Sequence, residues 1–173
     1  DYHAIAGRST RTESLSLVVG HSASLSYRNN SAGGAAVAAV TDNLEKVLSF
    51  EIEKGRYFSP YEYTSGTNVA VLGAETAERL FKDENPLGKE IKLQGRKVRV
   101  IGILKKEGEG GINLSNIDQI TIIPLNFGKN FINLRNRFVN TQLIVKAKPG
   151  VNVQELSDEA TMILRSARRL KPV

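Results

Sequence analysis

The sequence predicts an α+β fold in which a β-rich lobe is inserted into an α/β lobe. Strand-like patterns dominate the middle of the chain, and amphipathic helical patterns lie towards its two ends. The steady alternation of strands and helices that marks a doubly wound sheet is absent. The 173 residues are 40% hydrophobic and 24% charged, which is ordinary globular composition. Because Trp is absent and aromatic residues make up 6%, the core must rest on Val, Ile, Leu and Ala.

The first forty residues predict a helix end and two strands. Residues 1–15 indicate the end of a helix followed by a polar connection. Residues 18–27 predict a half-buried strand, because apolar side chains alternate at Ala23, Leu25 and Tyr27. Residues 28–34, RNNSAGG, predict a turn, and residues 35–40 predict a second strand of small side chains.

A short helix and a long loop are predicted next. Asp42 and Glu45 have the spacing of a capping box, so a short helix that includes Leu44 is expected to begin at Asp42. Residues 53–67, EKGRYFSPYEYTSGT, predict an irregular loop. This loop carries four aromatic side chains, which makes it a candidate contact surface.

The segment from Val69 to Leu104 has the clearest pattern in the chain. Val69–Leu72 predicts a compact buried strand, and the helix after it places Leu80 and Phe81 on its buried face. A Pro-Leu-Gly turn ends that helix. Two alternating runs that turn at residues 94–96 then predict a β-hairpin.

The last third of the chain predicts strands and helices in turn. Residues 105–118 indicate a flexible loop, 120–124 a strand, 126–140 a short helix with a loop, and 142–147 a strand. The final helix is the clearest one in the sequence. Its apolar residues keep a 3.6-residue period, with Asn152 and Glu155 at capping-box spacing: Val153, Leu156, Ala160, Ile163, Leu164 and Ala167.

A strand, a glycine and a helix in succession are also how many phosphate-binding sites begin. Here a single glycine, Gly73, separates the two elements, whereas a dinucleotide site needs several. A P-loop requires Gly-Lys followed by Ser or Thr, and Gly88-Lys89 is followed by Glu90. The sequence therefore predicts no nucleotide site and no other cofactor.

The sequence also predicts no catalytic or metal centre. Cysteine is absent, and the two histidines, His3 and His21, have no partner at metal-binding spacing. Glu107, Glu109 and Asp118 flank a glycine-rich loop that could bind a cation loosely. The alternative, which we favour, is that this loop is simply solvated.

The chain carries a net charge of +6 and has a pI near 9.6, which permits an anionic partner. The basic residues are scattered apart from the terminal RSARRLK, and no aromatic platform accompanies that cluster, so nucleic acid is not expected. No apolar run approaches the 18–20 or so residues of a membrane helix, and the start lacks the apolar core of a signal peptide. We therefore expect a soluble piece excised from a longer protein.

Four residues of the aromatic loop are candidates for contact with a partner. They are Arg56, Tyr57, Phe58 and Tyr61, in the segment RYFSPYEY. The alternative, which we favour, is that Tyr57 and Phe58 pack beneath the β-rich lobe. With the acidic loop residues Glu107, Glu109 and Asp118, they complete the predicted contact set.

Several motifs together resemble the MacB-like periplasmic core domain of ABC transporter permeases in the MacB/FtsX superfamily. The strand VAVLG at Val69–Gly73, the Leu-Phe helix end, the turn at Pro86–Lys89 and the strand at Val98–Leu104 carry the resemblance. The segments EIEKGRYFS, IIPL and VKAKPGVNV also match. The resemblance covers about residues 35 to 170.

The resemblance implies two lobes. A porter-like α/β lobe would comprise residues 1–55 and 131–173, and the inserted β-rich lobe would comprise residues 56–130. The domain would lie on the periplasmic side of the cytoplasmic membrane, between the first and second of four transmembrane helices of a dimeric permease. It would transmit motion driven by a cognate ATP-binding subunit or domain to a periplasmic partner or substrate.

Two other functions remain open at the level of the sequence. One is a free-standing periplasmic protein that binds a ligand or a peptide along exposed strand edges. The other is an enzyme whose site has no recognisable motif. The leading hypothesis predicts no ATP turnover by this chain in isolation.

Overall fold

The computed structural model describes residues 1–48, 50–106, 117–134 and 139–169, and it confirms a mixed α+β fold. Within these ranges it contains eight strands and six α-helices. In chain order they are α1 (Tyr2–Arg8), β1 (Thr12–Tyr27), β2 (Asn30–Val40), α2 (Leu44–Val47), β3 (Ile52–Gly55), α3 (Pro60–Ser65), β4 (Val69–Leu72), α4 (Ala74–Phe81), β5 (Glu90–Leu93), β6 (Arg96–Leu104), β7 (Ile120–Pro124), α5 (Leu125–Gly128), β8 (Asn140–Ala147) and α6 (Val153–Ala167). A 3-10 helix at Ile117–Gln119 precedes β7.

The strands pair in one continuous sheet whose hydrogen bonds close into a ring. The ring runs β1–β2–β7–β4–β6–β5 and back to β1, with β8 added on β1 and β3 added on β6. The pairs β2–β7 and β4–β6 are parallel, and the others are antiparallel. β1 is long enough to pair with β8 through Thr12–Gly20 and with β5 at Leu25 and Ser26. The division into lobes at residues 55/56 and 130/131 stays a prediction.

The central strands are buried on both faces, so the molecule has two apolar cores. All four residues of β4 are buried, with Ala70 and Leu72 in one core and Val69 and Val71 in the other. Helix α4 packs Leu80 into the first core, whereas helices α2 and α3 pack into the second. Burial on both faces explains why these strands are continuous apolar runs rather than alternating ones.

Gly73, which follows β4, allows two backbones to pack closely. A Cβ atom at this position would lie 2.4 Å from the carbonyl oxygens of Ile117 and Asp118. The Gly73 amide donates to the carbonyl oxygen of Ile120 at 2.8 Å. The glycine therefore accommodates the 3-10 helix and the start of β7, rather than an approaching phosphate.

Two predictions for the first third of the chain are wrong. Residues 12–15 belong to the first half of β1 instead of a polar connection, because they pair with β8. Of the predicted turn at 28–34, residues 30–34 belong to β2, and Asn30 already pairs with Tyr27. Small residues at these positions suited a turn. However, β1, the hairpin partner of β2, is long enough to extend β2 through them.

The predicted capping box and the predicted loop are also wrong. Asn43, in a left-handed conformation, caps α2, and no side chain completes a hydrogen bond there. Residues 53–67 contain the end of β3 and all of α3. A capping box does begin α3, where Ser59 accepts from the Glu62 amide and Glu62 accepts from the Ser59 amide. The motif Ser-Pro-x-Glu, with proline at the first helical position, was the available signal.

The final helix lies where the sequence predicts, but its buried face differs. Leu156 is buried, whereas Val153 is 75% exposed and Ala167 is exposed. Glu159 is buried in place of an apolar residue. Within the described ranges, no helix combines the length and the apolar character needed to cross a membrane.

Candidate functional site

Arg56 is held against α3 by a two-point contact with Glu62. Its Nη1 and Nη2 atoms donate to the two carboxylate oxygens at 2.7 and 2.8 Å. The guanidinium group of Arg56 and the hydrogen bonds from Ser59 lower the pKa of Glu62 from 4.5 to about 2. This predicted contact residue is therefore tied into the start of a helix, with part of its side chain exposed.

The aromatic residues of this segment have two different roles. Phe58 is buried, and its ring lies 4.7 Å from that of Tyr57 and 5.3 Å from that of Tyr63. Tyr57 also stacks on Phe50. Tyr61 is 74% exposed on the outer face of α3. Tyr57 and Phe58 thus build the second core, while Tyr61 is free to contact other molecules.

The acidic candidates do not join this surface. Asp118 is buried in the 3-10 helix beside the start of α4, and Glu107 and Glu109 lie outside the described residues. The described part of the chain holds no group of three or more His, Asp or Glu side chains placed to bind a metal ion. That part of the structure offers no cluster suited to a resident metal.

A groove of about 770 Å³ lies between α1 and α6 on one side and α3 and α5 on the other. Its apolar wall comes from several strands and helices: Leu17, Val40, Leu125, Leu134, Leu143 and Leu164. Its polar rim comes from Asp1, His3, Asp42, Lys129 and Arg168. Volumes of this size are typical of sites for small molecules.

The hydroxyl of Tyr63, a residue that lines this groove, has no hydrogen-bond partner among the described residues. Tyr63 is 8% exposed, and its hydroxyl is buried, as are the Tyr57 hydroxyl and the Glu45 Oε2 atom, which likewise have no partner there. Burial raises the pKa of Tyr63, the nearby Tyr57 hydroxyl partly offsets this effect, and the carboxylates of Glu45 and Asp42 raise the pKa further. All three atoms are closed to solvent, so they form a polar cluster inside the protein rather than a contact point open to the groove.

On one side of the groove, the buried carboxylate of Glu159 joins α6 to the connection between α1 and β1. It accepts hydrogen bonds from Ser9 Oγ at 2.5 Å, from Thr10 Oγ1 at 2.8 Å, and from the amides of Thr10 and Arg11. The hydroxyls of Ser9 and Thr10, followed by these amides, lower the pKa of Glu159 to about 2. One side chain of α6 therefore fixes the whole connection between α1 and β1.

The groove opens at the end of the molecule where α1 begins and α6 ends. Asp1 forms an ion pair with Arg168 there, and both residues line the rim. The start of α1 and the end of α6 therefore lie side by side. Tyr2, also on the rim, directs its hydroxyl towards Asp42 at 3.4 Å.

Sequence reasoning missed both the groove and the Glu159 contact. The groove collects single residues from elements more than 160 positions apart, and no motif links them. Glu159 follows Asp158 in a helix with many charges and resembles a solvated position in sequence. The one available signal is that Glu159 lies on the same helical face as Leu156 and Ile163.

Known proteins share both the sequence pattern and the fold of this chain. A family model described as the MacB-like periplasmic core domain matches residues 1–163. The uncharacterized ABC transporter permease YknZ of Bacillus subtilis is 35% identical over 72 residues, which are 42% of this chain and 18% of that protein. The macrolide export ATP-binding/permease protein MacB of Bdellovibrio bacteriovorus is 26% identical over 120 residues, which are 67% of this chain and 17% of that protein. The chain thus spans less than a fifth of these two relatives.

Two solved structures share the fold. The periplasmic region of MacB from Actinobacillus actinomycetemcomitans superposes with a TM-score of 0.80 at 22% identity, covering 96% of this chain and 72% of that one. The extracellular domain of the transporter YknZ from Gram-positive bacteria gives 0.78 at 20% identity, covering 98% and 84%. At these identities the likeness establishes the fold and leaves the site residues to be argued from this chain.

Proposed function

This chain belongs to the MacB-like periplasmic core domain family, and we propose that it is the extracytoplasmic domain of an ABC transporter permease subunit. In this role it transmits a conformational change driven by ATP hydrolysis to a partner or substrate outside the cytoplasmic membrane. The family match over residues 1–163 is the observation that carries the proposal. Curated relatives named for the export of macrolides and of pyoverdine support export as the process served.

The arrangement of the chain ends supports this role. The start of α1 and the end of α6 are paired through Asp1 and Arg168, so both connections to the rest of a permease leave at one end. Two transmembrane helices attached there would enter the membrane as neighbours. A displacement of those helices would act directly on α1 and α6.

The proposed path of the motion follows the polar contacts of Glu159. Its bonds to Ser9 and Thr10 make α6 and the α1–β1 connection move together. β1 continues from this connection and pairs with β8, β2 and β5 in turn. A force applied to α1 and α6 would therefore reach three other strands of the sheet through β1.

The partners follow from the same proposal. A cognate ATP-binding subunit or domain on the cytoplasmic side would supply the energy, and the permease would work as a dimer in the cytoplasmic membrane. The exposed Tyr61 of α3 and the partly exposed Arg56, which contacts α3 through Glu62, are surface side chains that a periplasmic partner or substrate could contact. Nucleic acid has no role in this proposal.

An insertion of flexible residues tests the transmission. Five glycines placed after Arg169 in the full-length permease would let the following helix move without pulling α6. We expect transport by the reconstituted transporter to fall at least tenfold while basal ATP turnover persists. The matched control places five glycines in the turn at Gly95, where an added Cβ atom would have no neighbour within 4 Å.

Two outcomes would contradict the proposal. Transport that survives the insertion after Arg169 would mean that the domain does not transmit force through α6. Equal loss of transport from the insertion at Gly95 would mean that any lengthening of the chain is harmful. A thermal melt of each variant confirms that the domain itself remains folded.

A second candidate function is a free-standing periplasmic protein that binds a ligand or peptide. The groove, with its volume of about 770 Å³ and its apolar wall, favours a ligand-binding role in either case. Cell fractionation separates the two candidates, because a permease domain stays with the membrane after washing in high salt. Recovery of the native protein in the soluble periplasmic fraction would favour the second candidate.

A further inference from the structure

We propose that the outward face of the β5–β6 hairpin binds an acidic segment of a protein partner in an extended conformation. This surface, the basic face, consists of the exposed side chains of Glu90, Lys92, Lys97 and Arg99. The inference deepens the proposed function by giving the chemistry of the partner, and it rests on that function for the partner's place in transport. The binding itself is a property of this chain.

The hairpin concentrates positive charge on one surface. Residues 89–99 contain five basic residues and one acidic residue, in a chain whose net charge is +6. Apolar residues separate them in sequence, and Ile91 and Val98 are completely buried. Because side chains alternate between the two faces of a strand, the residues beside these two point outward. The fold therefore places three cationic side chains and one carboxylate on the basic face.

Two lysines of the basic face lie directly opposite each other. Lys92 pairs with Lys97 across the two strands, and like charges in this position destabilise a hairpin. Lys97 has an ion pair with Glu90 on the diagonal, at 3.6 Å. Among the described residues, Lys92 and Arg99 form no ion pair. A bound anion would therefore remove a repulsion that the free protein retains.

Arg99 also lines a depression that can receive a side chain. The depression has a volume of about 600 Å³ and lies between β6 and α3. Of the other charged residues that line it, Arg56 pairs with Glu62 and Lys97 pairs with Glu90. Arg99 is thus the uncompensated charge, and a guanidinium group binds a carboxylate through two parallel hydrogen bonds. A projecting Glu or Asp side chain enters such a depression, whereas the surface of a membrane is flat.

The spacing of the charges fits an extended peptide. Lys97 and Arg99 are two residues apart on one face of β6, which corresponds to about 6.6 Å. An extended peptide with Glu at every second position presents its carboxylates at the same interval. Lys92 lies about 5 Å across from Lys97, so one carboxylate can contact both. The occupant is therefore an acidic segment whose carboxylates alternate with other residues.

Three peptides of equal length test the charge of the ligand. In the first, Thr and Glu alternate over seven residues, and in the other two Gln or Lys replaces every Glu. Each is titrated into the 173-residue chain, with calorimetry for affinity and amide NMR shifts for location. At about 20 mM NaCl we expect the Glu peptide to bind at least tenfold more tightly than the other two and to shift β5 and β6. At about 300 mM NaCl most of this difference should be lost, because salt screens exposed charges.

Two variants test the residues of the basic face directly. Arg99→Gln is expected to weaken binding of the Glu peptide by about fivefold, because it removes the uncompensated guanidinium group. Lys92→Gln is expected to weaken binding by about threefold and to melt at or slightly above the wild type, because the repulsion with Lys97 is lost. Lys46→Gln is the matched control, since it removes the same charge from an exposed position on α2 and should bind the peptide normally.

Three results would overturn the proposal. One is equal affinity for the Glu and Gln peptides, and another is normal peptide binding by the double variant of Lys92→Gln and Arg99→Gln. The third uses vesicles of phosphatidylglycerol as a second probe. If the vesicles bind the chain more tightly than the Glu peptide does and the double variant abolishes that binding, the basic face contacts a membrane instead.

These results are separate from the test of the transmission. Loss of the peptide site would leave the transport role intact, because the insertion after Arg169 tests that role. Conversely, peptide binding by a chain whose permease ignores that insertion would preserve the basic face and contradict the transmission. The control insertion at Gly95 lies beyond the Leu93–Arg96 pair, so it leaves the pairs of the basic face in place.

Discussion

The central strands and the layer formed by α1, β8 and α6 are stabilised in different ways. All four residues of β4 are buried and apolar, with packed side chains on both faces. By contrast, β8 has no buried residue, and α6 buries two, Leu156 and Glu159. The first region is held by apolar burial. The second buries two apolar side chains, Ile5 and Leu156, and depends more on the hydrogen bonds of Glu159 and of the β1–β8 pair.

This difference indicates which region opens first. Segments with little buried apolar surface open locally at a lower free-energy cost than core strands do. The outer layer also contains both chain ends and one side of the groove. In the proposed transporter, the part that receives the force is therefore the part that can shift without unfolding the sheet. Variants of the two regions test this difference, from the largest expected effect to the smallest.

Leu80→Asp tests the apolar core from the side of α4. Leu80 is completely buried, and an unpaired carboxylate there would cost about 4 kcal/mol or more. We expect the variant to fail to fold or to melt far below the wild type. Arg79→Asp places the same residue on the exposed neighbouring position and serves as control. A normal melting curve for Leu80→Asp would show that the buried face of α4 is wrongly placed.

Gly73→Ala tests the close approach of two backbones in the central region. The added Cβ would lie 2.4 Å from two carbonyl oxygens, so either α4 or the 3-10 helix must move. We expect a loss of about 3 kcal/mol in the free energy of unfolding, measured in urea. Gly33→Ala, where nothing lies within 4 Å, should change it by less than about 0.5 kcal/mol. Equal stability of the two variants would contradict this close packing.

Gly88→Val tests the turn between α4 and β5. Gly88 has a φ of 76° with open space around it, so a side chain costs backbone strain without a clash. We expect a loss of about 1–2 kcal/mol. Gly88→Asn should lose less, because asparagine tolerates the left-handed region. If valine and asparagine lose the same amount, backbone strain is not the cause.

Glu159→Gln tests the outer layer and should affect global stability least. We expect faster hydrogen exchange in α1 and α6 with little change in β4, because fewer acceptors and no charge remain for Ser9, Thr10 and Arg11. Asp158→Asn, at an exposed position whose hydrogen bond from Gln154 stays within α6, is the control. Uniform destabilisation of all strands would argue against a separately opening layer.

The same carboxylate predicts a dependence on pH. The folded state lowers the pKa of Glu159 from 4.5 to about 2, so the ionised form stabilises the fold. This contribution is complete above about pH 4.5 and is lost as the pH falls towards 2. Glu62 behaves in the same way on α3. The difference in stability between the wild type and Glu159→Gln should therefore shrink over this range in acid melts.

The elements that sequence reasoning placed correctly are those with an unambiguous local pattern. β4, the β5–β6 hairpin, β7, β8 and α6 all lie within a few residues of their predicted positions. Each is a strongly apolar run, an alternating run or a helical period bounded by turn residues. α3 was missed because aromatic residues suggested a loop, although the Ser59–Glu62 spacing indicated a helix start.

The candidate site was predicted much less well than the fold. Arg56, Tyr57, Phe58 and Tyr61 stay predicted contact residues, and two of them, Tyr57 and Phe58, pack in the second core. The residues of the groove's apolar wall, and Tyr63, which also lines the groove, were not identified as site residues. Their proximity depends on β1 reaching three other strands, which no local window of the sequence contains.

The sequence by itself determined the apolar strands, the hairpin, the amphipathic helices and the family. These depend on the period of side chains along a few neighbouring residues and on motifs within one stretch of chain. Tertiary structure alone decided that Gly73 packs against a backbone, that Glu159 is buried, and that a groove joins both chain ends to α3 and α5. These features depend on which distant segments meet, because burial and hydrogen bonding are set by neighbours in space and not in sequence.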